Sequence, residues 1–167
     1  QSESETTLAE FERALLPLLF ALARSVVLLF LRATEERLAA ALPSRQKKGE
    51  RVFRPAPEQW RNVMTWFGVV RYARTYLREV GKAGQRSGLH PLDAHVGLGA
   101  DRFSPNILSY GVRLATRTTF AGAVEVMSWF VPSVASTEVI ESAALGYGRH
   151  TQAWFQSVPP PRAMAKC

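Results

Sequence analysis

The segment GLHPLDAHVGLGADRFSP, residues 88–105, holds two histidines and two aspartates within twelve positions. The spacing His90-x-x-Asp93-x-His95 is one that metal binding or acid–base chemistry can use. Either chemistry needs the side chains to converge, and Pro91 works against regular helical presentation. No other feature of the sequence marks a substrate pocket around them. The structural alternative is that Leu89, Leu92, Val96, Leu98 and Phe103 plug this segment into the core, with Asp93 capping a turn and Ser104 starting a helix. That alternative is the expectation. No catalytic residue, metal site or cofactor is assigned.

A second set of residues suits a different chemistry. The chain carries a net charge of +7, unevenly spread. Residues 1–43 have four Arg against six Glu, residues 44–90 eleven Lys/Arg against three Glu, and residues 91–167 six against five acids. One localised basic stretch is the electrostatic footprint of a polyanion binder, against the ordinary alternative of a solvated surface. Within it, Arg71, Arg74, Arg78, Lys82 and Arg86 follow one another along a strand-like segment and its turn. Arginines there can contact phosphates or base edges in two-pronged fashion. Arg45, Lys47, Lys48, Arg51 and Arg54 add sequence-independent attraction that weakens with salt. Tyr72 and Tyr76 can buttress such a ribbon.

The elements that must carry these residues can be read coarsely. With 47% hydrophobic and 21% charged residues the composition is globular. The single Cys167 excludes an intrachain disulfide or a thiolate zinc site. A start at Gln1 and a PPPR run near the end suggest a fragment cut at a linker. Residues 6–42 read as one helix capped by Thr6 or Thr7, with Leu8, Phe11, Leu15, Leu18, Leu22 and Leu29 on a heptad-like seam. Leu16, Leu19, Val26 and Phe30 form a second apolar face, and Pro17 kinks or divides the helix. Cover comes from self-association or from the chain's own helices. Arg24 and the acidic flank argue against a membrane span or signal peptide. A cytoplasmic location, compatible with the single cysteine, is the expectation. Residues 44–59 read as a basic linker. Residues 60–103 read as a β-ribbon, with Gly68 as turn or bulge and LHPLD returning as a strand. Beyond it come helices from Ser104-Pro105, from about 119 to 130, and from Ser136 to the glycines 146 and 148; a short helix through 153–155 precedes the linker 157–167. Phe120, Ala123, Val124, Met127 and Phe130 point inward, and Trp129, Trp154 and Phe155 are expected in the core. The fold class is α+β: a long N-terminal helix, a basic β-ribbon and a small C-terminal helical unit.

Three motifs carry a resemblance: Thr65-x-x-Gly68-x-Val70, then Arg74-x-Tyr76-x-Arg78, then Pro91, Leu92, Asp93, Gly97, Leu98, Phe103, Ser104 and Pro105. Over residues 60–156 the chain resembles the N-terminal half of bacterial insertion-sequence DDE transposases of the ISKra type. The resemblance implies that residues 104–156 form a helix-turn-helix-like domain, with Ser136 and Thr137 near phosphates. It also implies that double-stranded DNA at transposon ends is the partner. The apolar faces of residues 1–43, which lie outside the resemblance, give the expectation that this segment assembles a homo-oligomer. Glu138 and Glu141, with no Lys or Arg between 136 and 148, suit the presumed recognition helix poorly to phosphates. The family's cysteine knuckle is missing from LREVGKAGQRSG, and its catalytic carboxylates would lie past Cys167, so no catalysis is expected of this fragment. The alternative is a stand-alone helical interaction protein without DNA binding, with a His90/Asp93/His95 enzyme a more distant third.

Overall fold

A computed structural model describes residues 7–81 and 88–157. Among them are five helices and a four-stranded antiparallel sheet, an α+β arrangement. Helix α1 spans Leu8–Ala40. Thr7 caps it: its hydroxyl accepts from the Glu10 amide, while the Glu10 carboxylate accepts from the Thr7 amide at 2.8 Å. That backbone donor holds the Glu10 carboxyl below the usual carboxylate range. Pro17 sits inside the helix without dividing it.

The sheet runs in the order β1 (Gln46–Lys48), β2 (Arg51–Thr65), β3 (Gly68–Glu79), β4 (Gly88–Leu89), each strand pairing with the next. Residues 44–59 are therefore not a linker, for they supply β1 and the first half of β2. Pro55 and Pro57 are tolerated because β1 pairs β2 only up to Phe53, leaving that edge of β2 free. Between Ala56 and Gln59 the register shifts, two β2 residues facing one on β3, as in a bulge. The β2–β3 hairpin closes at Thr65–Gly68, where Gly68 adopts φ +104°, a conformation that favours glycine. The Thr65 hydroxyl locks this turn, donating to the Gly68 carbonyl and accepting from the Phe67 amide.

The LHPLD segment does not continue as a strand. After β4 it turns into helix α2, Pro91–His95, with Pro91 at the first helical position, where its missing N–H costs nothing. Helices α3 (Pro105–Ala115), α4 (Phe120–Ser128) and α5 (Thr137–Ser157) follow. Ser104 and Thr119 cap the first two. Helix α5 does not stop at Gly146 or Gly148 but runs through both, so the expected short terminal helix is part of it.

Two cores result. In the first, Leu31 of α1 and Leu92 of α2 lie with Val63, Val70 and Tyr72 of the sheet, joined by Val27, Leu38, Val96 and Leu98. In the second, Ile107, Met127, Val131, Ala135 and Ile140 bring α3, α4 and α5 together, joined by Met64 and Phe103. Gly111 lets α3 approach: a Cβ there would lie 2.3 Å from the Ile140 side chain. Ala123 and Met127 point inward, but Trp129 and Phe130 are 66% and 68% exposed, because the helix ends at Ser128 and the periodicity that placed them in the core ends with it. Among the described residues α1 packs chiefly on the sheet and α2, and Leu16, Pro17 and Phe20 border a groove with residues 129–132; Leu8, Phe11, Leu18, Leu22, Val26, Leu29 and Phe30 are more than half exposed.

Candidate nucleic-acid interface

The β2–β3 register sorts the basic residues by face. Directly paired residues share a face and successive residues alternate. Arg54 pairs with Arg78, and Lys47 pairs with Val52, which lies two positions from Arg54 on the same strand. Lys47, Arg54 and Arg78 thus occupy one face across three strands, and all three are exposed. Among the described residues none of them takes part in an ion pair. Like charges placed opposite each other across a sheet repel. An uncompensated Arg54–Arg78 pair is therefore a position where an anion gains from both.

Arg71 lies on the other face, paired with Asn62 and stacked over the exposed Trp60 ring at 4.9 Å. Lys48 is exposed opposite Arg51. Arg51 itself turns to Glu79, donating from Nε at 2.9 Å and from Nη2 at 2.5 Å, and this partner raises its pKa. Arg51 is consequently a sheet-bracing residue first. Ser136 is exposed and Thr137 half-buried at the start of α5, while Glu138 and Glu141 are exposed beside them. The Glu138 carboxyl is held low by the Ser136 side chain, which occupies a hydroxyl that a phosphate would need. Lys82 and Arg86 lie outside the described residues.

Arg74 has to be withdrawn from the surface set. Its side chain is 14% exposed and its guanidinium is paired with Asp93. Asp93, on α2, also accepts from Arg61 Nη1 at 2.6 Å and from the Tyr72 hydroxyl at 2.7 Å. Arg61 goes on to donate to the carbonyls of Gly99 and Asp101. The strand alternation that exposes Arg71 turns Tyr72 and Arg74 inward, toward α1 and α2. Burial lowers the Arg74 pKa, with the Arg61 charge adding to it, and burial raises the Tyr72 pKa against the pull of both arginines. Glu35 of α1 closes the cluster by accepting from the Thr75 amide at 2.6 Å.

His90, Asp93 and His95 each have partners of their own. The His90 Nδ1 lies 3.2 Å from the Thr75 carbonyl, and the ring packs on Tyr76. His95 meets Arg37 of α1, which donates to its Nε2 at 3.2 Å. His90 meets Thr75 and Tyr76 of β3, Asp93 meets Arg61 of β2 with Tyr72 and Arg74 of β3, and His95 meets α1. Among the described residues no group of three or more His, Cys, Asp or Glu is placed to hold a metal ion. Asp93 does not cap a turn; it is the buried acceptor that joins sheet to α2. Sequence reasoning missed Arg61, whose partner lies 32 positions away; its one signal was a charge two positions from Val63, on the same strand face.

No family model, curated protein or solved structure matches this chain.

Proposed function

We propose that this chain is the DNA-binding and protomer-assembly portion of a transposase, recognising transposon ends in the cytoplasm while carrying no catalysis of its own. The observation that carries the reading is the unneutralised Lys47/Arg54/Arg78 face, in which two arginines are held side by side without a carboxylate between them. Backbone pairing fixes the spacing of their Cα atoms, so the strands need no reordering when phosphates dock, and only side-chain freedom is given up. Helices α3–α5 form the helix-turn-helix-like part, packed against the end of β2 through Met64 and Phe103. The exposed Arg113 and Arg117 of the α3 end serve phosphate contact better than the acidic start of α5. Arg71 over Trp60 offers a further contact on the opposite sheet face.

The test is the affinity of the purified chain for duplex DNA across a salt series. Each phosphate contact contributes a slope of about −0.9 in log affinity against log salt, so the triple variant Lys47→Ala/Arg54→Ala/Arg78→Ala flattens the slope by about 2.7. Arg74 is left untouched in this design because its loss would perturb the fold. Absence of binding at low salt overturns the reading and favours a stand-alone interaction protein built on α1, whose apolar surface stands open.

A further inference from the structure

We propose that α1 pairs antiparallel with α1 of a second copy through the seam of Leu8, Phe11, Leu15, Leu18, Leu22 and Leu29. This rests on the reading of α1 as the assembly element and specifies its partner and orientation. At 100° per residue the seam points directly away from the stripe Val27, Leu31, Thr34 and Leu38 that α1 turns to the sheet and α2. The seam residues are 73%, 55%, 36%, 66%, 63% and 66% exposed in that order. At roughly 200 Å² of surface per large side chain they offer on the order of 700 Å² per copy, about 1,400 Å² for a pair, which is the size of a stable interface.

Charge selects the orientation. Continued toward the C-terminus, the same heptad places Arg32 and then Glu36 on the seam. A parallel pair would set Arg32 against Arg32 and Glu36 against Glu36. An antiparallel pair centred on residue 20 stacks Leu18 on Leu22 and Phe11 on Leu29 of the other copy, and lays the Arg32 stem over Leu8. It also brings the acidic first turns, Glu10 and Glu12, to the Arg32 and Arg37 end of the other helix.

Length and composition alone would let α1 cross a membrane. Its C-terminal half, however, buries Leu31, Thr34 and Glu35 beneath the sheet, and Glu35 is bonded to the Thr75 amide. Drawing the apolar stretch 14–31 into a bilayer would take Leu31 away from Val63, Val70 and Tyr72.

The experiment uses the full chain with Cys167→Ser and a spin label at Ala9→Cys. Across an antiparallel pair the labelled positions are about 33 Å apart along the helix axis, whereas in a parallel pair they face each other at about 10 Å. The expected result is the long distance, together with dissociation to a monomer of unchanged helix content in Leu18→Glu/Leu22→Glu. These two side chains face solvent in the single copy, so the variant keeps its fold. A short distance, a monomeric parent chain, a pair that survives both glutamates, or a monomer that partitions onto lipid vesicles overturns the proposal. Pairing is read without DNA: an antiparallel dimer indifferent to DNA defeats the DNA reading alone, and a DNA-binding monomer defeats this one alone.

Discussion

Asp93→Asn is the substitution that most directly probes the joint between sheet and α2. In the parent chain a carboxylate with 9% of its side chain exposed is shared by two guanidiniums, Arg61 at 10% and Arg74 at 14%, and accepts from Tyr72. The amide keeps the volume and one acceptor oxygen but removes the charge, leaving two buried cations facing each other. Breaking a buried ion pair from one side costs about 3–5 kcal/mol. That is a large share of the roughly 5–15 kcal/mol that holds a domain folded. Tyr72→Phe removes a single hydrogen bond to a charged acceptor, and about 1.5–3 kcal/mol is expected. Because both changes strike one network, the double variant should lose less than the sum of the singles. Urea unfolding followed by circular dichroism measures all three. If Asp93→Asn unfolds within about 1 kcal/mol of the parent, a number far below the buried-pair cost, the cluster is not the joint described.

Three further outcomes are expected. Gly111→Ala places a Cβ 2.3 Å from Ile140 Cδ1 and 3.3 Å from Met127 Sδ, so overpacking should cost about 1–3 kcal/mol in the same urea assay. Gly68→Ala forces a side chain into φ +104° and within 3.0 Å of the Arg24 guanidinium, and a lowered melting temperature is expected. Burial and the nearby Arg74 charge depress the His90 pKa below 6.5 in the folded chain. The unfolded chain then binds the proton more readily, so stability is full above about pH 6.5 and declines as pH falls toward the folded value. Urea midpoints between pH 5 and 7.5 should show that decline, and His90→Gln should reduce it.

Local chemistry was legible in the sequence where one signal decides the matter. Thr7 before a helix with Glu10 three positions on, and Ser104 before Pro105, announced the helix starts the structure has. The α1 seam was legible because a heptad needs no partner to be counted. What was not legible depends on pairing. Arg74 and Arg78 look alike in sequence, and the cover of α1 and α2 over the near half of β3 decides that one is buried and the other free. Pro55 and Pro57 disguised β2 as a linker because the sequence does not show that its edge is open there. Gly146 and Gly148 suggested a helix end, a penalty of about 1 kcal/mol each relative to Ala, yet the long α5 outweighs it. The Lys47/Arg54/Arg78 face is a product of register alone.

Val63 and Met64 are neighbours on β2, yet Val63 belongs to the core under α1 and Met64 to the core among α3–α5. Met64 also exchanges backbone bonds with the entry to α3, donating to the Arg102 carbonyl at 2.7 Å and accepting from the Ser104 amide at 2.9 Å. A strand shifted by one residue would send each side chain into the wrong core. The chain can therefore tolerate insertions or deletions on the near side of the Ala56–Gln59 bulge, which absorbs a change of parity, but none between residues 60 and 64. Over a long span of sequence drift, that five-residue stretch should hold its length while the basic β1–β2 end varies. The angle between ribbon and helices is inherited through the spacing of residues and not through their identity.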